Sequence, residues 1–162
     1  KLANANFVQC KLDGAILIGA QAVGAVFAKE TSLCGADFAG ADLTGANLGG
    51  LDFTGARLHQ AVLDGANLSG TNLSKVDATL ASAKGALARR ATLREAKLGG
   101  INLMDAILQH ADLRGADLRR SNLFGADLSR VRLDGDVLLD ESLLDRARTY
   151  PRLTPAEQEA AP

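Results

Sequence analysis

The stretch that decides the fold reads Ala36-Asp37-Phe38-Ala39-Gly40, Ala41-Asp42-Leu43-Thr44-Gly45, Ala46-Asn47-Leu48-Gly49-Gly50. Leucine or phenylalanine returns every fifth residue. Alanine stands two places before it, and Asp or Asn one place before it. A period of five fits neither the 3.6 of a helix nor the 2 of a strand. A short repeat that stacks copies of itself puts such residues on one side.

Working outward, the Leu/Phe position serves as the centre of each repeat. Centres run Leu2, Phe7, Leu12, Leu17, Ala22 and Phe27, and then Leu33, six residues on. One extra residue therefore sits near Lys29-Glu30, as a bulge or tight loop. The frame resumes through Phe38, Leu43, Leu48, Phe53, Leu58, Leu63, Leu68 and Leu73, weakens at Ala78, Ala83 and Ala88, and returns as leucine from Leu93 to Leu143. Residues 75–90 are expected to be irregular: either the interior narrows there, or the chain leaves the coil as a loop or short helix.

These residues resemble the pentapeptide-repeat family, whose motif is A(D/N)LXX, over roughly nine tenths of the chain. The resemblance implies an all-β fold, a right-handed quadrilateral β-helix with one repeat per side and four per turn. It also implies inward centres, inward corner alanines and solvent at the other three positions. About seven turns at strand spacing make a rod some 34 Å long. Residues 1–139 are assigned to this solenoid.

Composition fits a narrow column: 47% hydrophobic residues but only 4% aromatic, in 162 residues of net charge −1. Phe7 and Phe27, 20 apart, are expected to stack. The two cysteines, Cys10 and Cys34, fall on different kinds of position and read as free thiols, which points to a cytoplasmic protein. No stretch is apolar enough for a membrane span. Lys1-Leu2 lies already inside a repeat, so more coil or another domain is expected upstream.

Beyond Leu133 the pattern degrades, with Asp136 in the place of a corner alanine. Residues 140–162 are expected to form a helical cap and tail. Asp140 to Arg148 carries acids early and arginines late, as a helix dipole favours. Thr154-Pro155-Ala156-Glu157 reads as a capping box. The stretch from Leu133-Asp134-Gly135 through Arg146-Ala147-Arg148-Thr149-Tyr150-Pro151-Arg152-Leu153-Thr154-Pro155 is similar to the ends of pentapeptide regions in bacterial accessory proteins of type VI secretion systems. Such proteins help load effectors.

With four repeats per turn, residues 20 apart become neighbours. Asp37, Arg57, Asp77, Lys97 and Asp117 then form a column of alternating sign. Arg90, His110 and Arg130 form a second, basic or titratable throughout, and Arg94 stacks with Arg114. From Lys84 to Arg132 the chain has ten Lys/Arg against five Asp/Glu. Such a surface suits an anionic partner, and equally a solvated rod. Met104, Phe124 and Leu144 form an outward apolar column, expected to meet the C-terminal helix, a protein partner or a second copy in a homodimer. Leu87 and Ile107 form another. Candidate partner-binding residues are therefore Arg90, His110, Arg130, Arg94, Arg114, Met104 and Phe124.

Catalytic signatures are missing from the sequence. His59 and His110 fall in separate columns, no metal-ligand spacing stands out, and no glycine-rich loop opens a helix. The expectation is a non-enzymatic protein-interaction scaffold without cofactor or metal, the repeat region of a secretion accessory protein. The alternative is a DNA-mimicking, gyrase-binding protein. Mimicry needs strongly negative faces, which this near-neutral chain lacks. No aromatics interleave with the basic columns to stack bases, so nucleic acid is not the expected partner.

Overall fold

A computed structural model describes residues 1–28 and 30–149. The chain winds as a coil in which each residue before a centre bridges, in parallel, to its counterpart one turn on. The two longest paired segments are β1 (Asn6–Phe7) and β2 (Val26–Phe27), in register Asn6 to Val26 and Phe7 to Phe27. Elsewhere the ladder consists of single bridges such as Asp52 to Asn72, Asn72 to Thr92 and Thr92 to Asp112. A register of 20 residues with a repeat of five gives four sides.

Local hydrogen bonding explains the motif. The amide of each corner alanine donates to the preceding centre carbonyl, as Ala41 N to Phe38 O at 2.9 Å. That closes a four-residue turn whose third residue is left-handed, φ 63° at Gly40. This is the type II arrangement, which favours glycine there. The Asp or Asn before the centre accepts the amide two residues on: Asp42 Oδ1 from Thr44 at 3.0 Å, Asn122 Oδ1 from Phe124 at 3.0 Å. Such side chains hold their own turns. Where serine takes that place, an aspartate from the previous turn substitutes. Asp64 Oδ1 accepts from Lys84 N at 3.0 Å beside Ser82, and Asp13 accepts from Cys34 N at 3.0 Å beside Ser32.

Centres and corner alanines fill the interior. Phe38, Leu43, Leu48, Ala36, Ala41 and Ala46 are all fully buried. Phe7 and Phe27 stack with centroids 4.6 Å apart, and Phe38 follows edge-on to Phe27 at 6.3 Å. Small polar residues in the alanine slot bond a carbonyl of the turn below, as Thr71 Oγ1 to Leu48 O at 2.8 Å. Among the described residues no buried side-chain polar atom lacks a partner.

Residues 75–90 stay in the coil, with Arg57, Asp77 and Lys97 bridged in succession and Leu87 bridged to Asn67 and Ile107. The interior does change there. Ala78, Ala83 and Ala88 in place of leucine leave an apolar void of about 30 Å³ against Leu63 and Leu103.

Two one-residue insertions interrupt the register. The ladder steps from 20 to 21 between Phe27 and Ser32, where Lys11 pairs with Ser32. A second step follows Arg132, since Asp112 pairs with Arg132 but Asp117 with Leu138. The expected centres Leu138 and Leu143 therefore turn outward, 40% and 55% exposed, while Val137 and Leu139 pack on the core.

The helix expected over Asp140 to Arg148 is not formed. The coil continues, with Leu143 bridged to Asn122 and Arg148 to Asp127. Glu141 and Arg146 have φ 58°, incompatible with a right-handed helix. Val137, Ser142 and Ala147 are the small residues of the shifted repeat, and that spacing prevails over a charge distribution worth only tenths of a kcal/mol to ~1. The expected capping box at Thr154 and the rest of the tail lie outside the described residues.

The void yields a test. Ala83→Val is expected to raise unfolding stability by about 1 kcal/mol, as newly buried methyl groups do. The same change at the corner alanine Ala106, fully buried, is expected to cost about 1–3 kcal/mol by overpacking. Denaturant midpoints of the two variants check this; a loss at both positions would mean the void is not fillable space.

Candidate interaction surface

In the turn that contains Leu113, the four faces of the coil carry the centres Leu108, Leu113, Leu118 and Leu123. The Leu108 face ends at the corner Gln109-His110, and the Leu113 face follows and ends at Arg114-Gly115. Arg90, His110 and Arg130 line the first corner with φ of 56°, 60° and 59°. Arg94 and Arg114 line the far edge. Thr92, Asp112 and Arg132, bridged in succession, form the flat between. Two columns that the sequence suggests separately thus border one face.

Its electrostatics centre on Asp112. Arg114 Nε and Nη2 donate to the two oxygens of Asp112 at 2.8 and 2.6 Å, a bidentate pair within one repeat. Arg132 Nη1 stands 4.0 Å from the same carboxylate. The side-chain bond from Arg114 is the main reason that Asp112 titrates at about 2, against burial, which pushes it up; the Arg114 amide and the charges of Arg114 and Arg132 add to the lowering. Arg114 is thereby committed to holding Asp112, while the side chains of Arg90, Arg94 and His110 make no hydrogen bond or ion pair to the described residues. Arg130 does have a partner. Arg132 and Arg89 belong to this surface too, although the column reading did not single them out. The signal for Arg132 was present, since it lies 20 residues after Asp112.

On the Leu108 face, Arg89 Nε donates to Gln109 Oε1 at 3.1 Å, and Gln109 Nε2 donates to Asp127 at 2.7 Å. Burial pushes Asp127 up, but hydrogen bonds from the Ser129 hydroxyl and amide and from Gln109, with the Arg148 charge, leave it lowered. The alternating column occupies the Leu118 face, where Arg57 meets Asp37 at 3.1 Å.

Met104 and Phe124 lie on the Leu123 face, opposite the Leu113 face, so one flat partner cannot touch both groups. Asp105 N donates to Phe124 O at 2.9 Å and Gly125 N to Asp145 O at 2.9 Å. The second insertion thus puts Asp145, not Leu144, next in the Met104–Phe124 column. Arg146 covers the Phe124 ring at 5.4 Å from its centroid, in the place where the C-terminal helix was expected.

The sequence matches pentapeptide repeats in 8 copies, among them residues 1–27, 28–60, 43–77, 52–87, 89–123 and 101–135. The chain belongs to the pentapeptide-repeat family. Its coil is accordingly the right-handed quadrilateral β-helix. Among solved structures it is similar to HetL, a pentapeptide repeat protein involved in heterocyst differentiation regulation from the cyanobacterium Nostoc sp. strain PCC 7120. That likeness has TM-score 0.50 and 25% identity, over 90% of this chain and 85% of HetL. Rfr23 from the cyanobacterium Cyanothece 51142 shares 36% identity over 61% of this chain and 64% of its own, with TM-score 0.35. QnrB1, a plasmid-mediated fluoroquinolone resistance protein, aligns over 96% of both chains with TM-score 0.44 and 13% identity. A search of curated proteins finds no match.

The Asp112 pair gives a pH prediction. Its lowered value means stability that is fully present above the ordinary carboxylate value of 3.8 and lost as pH falls toward about 2. Arg114→Ala is expected to move the Asp112 titration up toward the ordinary value and to raise the pH at which acid destabilisation begins. NMR titration of the Asp112 carboxyl in both proteins measures it; an unmoved titration would assign the lowering to something other than Arg114.

Proposed function

We propose that this pentapeptide-repeat protein is a non-enzymatic protein-interaction scaffold whose basic Leu113 face receives a partner. The observation that supports this most is the pair of basic columns bordering one flat face of a solid coil. Arg90, Arg94 and His110 stand there without a counter-charge among the described residues, on a support whose centres are buried. A filled column offers shape and charge on its outside rather than an enclosed pocket for chemistry. Mimicry of DNA would need the opposite sign on such a face. The finer reading, an effector-loading accessory of a type VI secretion system, rests on the resemblance of the stretch from Leu133 to Pro155.

The test is affinity capture from the native host with two variants beside the parent chain: Arg90→Gly with Arg94→Ala, and Met104→Ala with Phe124→Ala. Spike or effector proteins captured by the parent and lost with the first variant alone are the expected result. Capture of gyrase, together with inhibition of its supercoiling by the parent chain, would replace the scaffold with the topoisomerase reading.

A further inference from the structure

Left-handed corner positions favour glycine, and bulky residues there cost about 1–2 kcal/mol each. This coil nonetheless carries non-glycine residues at many corners. Three pairs that follow each other in a column satisfy each other. Gln9 donates to Glu30 at 2.9 Å, Lys75 meets Glu95 at 3.7 Å, and Arg120 meets Glu141 at 3.0 Å. The run Arg90–His110–Arg130 differs from these pairs, as does Gln60–Leu80. Three left-handed residues of cationic or titratable type succeed one another with no acid between them.

Below them the same corner changes character. Gly70 and Gly50 occupy the two preceding turns, φ 66° and 71°. The corner therefore steps from bare backbone to overhanging side chains, and an open cleft forms between Ser69, Gly70, Arg89, Arg90, Gln109 and His110. Arg89 is steadied at its Nε by Gln109, itself held by Asp127. Its two terminal guanidinium nitrogens make no bond to the described residues. A positioned guanidinium, a second arginine and an imidazole around a glycine floor match a carboxylate, which takes forked N–H donors well; the Ser69 hydroxyl is already given to the Leu87 carbonyl at 3.3 Å.

We propose that this corner cleft binds carboxylates, and that its occupant is an acidic segment of a partner protein laid along the coil axis. The proposal rests on the scaffold reading and names the chemistry of its partner. A carboxylate-bearing chain fits better than a nucleic acid. Among the described residues no aromatic side chain lines this cleft to stack a base, since Phe7, Phe27, Phe38 and Phe53 pack in or against the core and Phe124 is on the Leu123 face. Asp112 and Asp127 flank the column, where they would oppose a continuous line of phosphates but leave room for separate carboxylates.

The experiment is fluorescence anisotropy at low salt with a labelled Glu/Ser peptide, a Lys/Ser peptide and a short DNA duplex. The proteins are the parent chain, Arg90→Gly with His110→Gly, and Lys97→Ala on the neighbouring face. Both variants remove one formal charge. Glycine also relieves the left-handed strain, so the double variant should melt no lower than the parent, and lost binding cannot be lost folding. Expected is binding of the Glu/Ser peptide alone, weakened roughly tenfold in the double variant and little changed in Lys97→Ala. Absent binding of the acidic peptide, equal weakening by both variants, or preference for DNA would each overturn the site. Native partner proteins still captured by the double variant would then show that the scaffold stands without this cleft.

Discussion

The structure depends on one closed turn. A centre carbonyl accepts the amide three residues on, with a left-handed residue just before that donor, and the chain changes direction by one side of a square. Four such turns bring it back one strand spacing higher, where the amide of each bridging residue finds a carbonyl of the turn below, as Asp112 N finds Ala91 O at 2.9 Å. Everything else follows from keeping this geometry. Small residues are favoured just after the turn, because their Cβ points into the corner, although Leu51 and Ile101 are also buried in that slot. Asp and Asn are favoured before the centre because they lock the next turn. Each turn touches only its neighbours, so an irregularity stays local. The alanine turn around Ala83 thus costs a small void and leaves the ladder intact above and below it.

The side-chain pattern revealed most of the fold because the repeat is read by size alone. Ala at most corners and Leu or Phe at most centres leave little freedom, and the first insertion shows because Leu33 arrives one residue late. The second insertion was hidden. Val137-Leu138-Leu139 and Ser142-Leu143-Leu144 offer leucine in both frames, so a slip of one residue leaves an apparent centre in place. The discriminating signal was the small residue, since Val137, Ser142 and Ala147 keep the period while Asp136 and Arg146 do not. The same slip misplaced Leu144 in the apolar column and lent the helix reading its support.

The surface was legible in one direction only. Columns along the coil follow from counting by 20, and the Asp37–Arg57 contact answers to it. Pairs within a repeat do not, and the strongest contact on the basic face, Arg114 with Asp112, is of that kind. A column of like charges looks uniform in sequence, yet its members divide once the bonds of each repeat are drawn. Arg114 is a structural cation, whereas Arg90 and Arg94 are not tied to a carboxylate of the described coil.

That division bears on how a coil with so constrained an interior acquires a binding surface. Centres and corner alanines cannot vary without strain or voids, so chemical variety is confined to the outward positions. Among these, the residue before the centre is tied to the ladder and usually caps the next turn. The corner residues join the next turn through their amides, as His110 N does to Ser129 O at 3.0 Å, but their side chains carry no such duty, and glycine serves the turn best there. A bulky residue at a corner therefore runs against local preference, and a paired neighbour one turn away compensates in Gln9–Glu30, Lys75–Glu95 and Arg120–Glu141. Arg90, His110 and Arg130 give each other no such compensation. Arg90 and Arg130 each add a cation, and His110 an imidazole, to a position that glycine would hold with less strain, and the interaction that offsets this is to be sought beyond their own column.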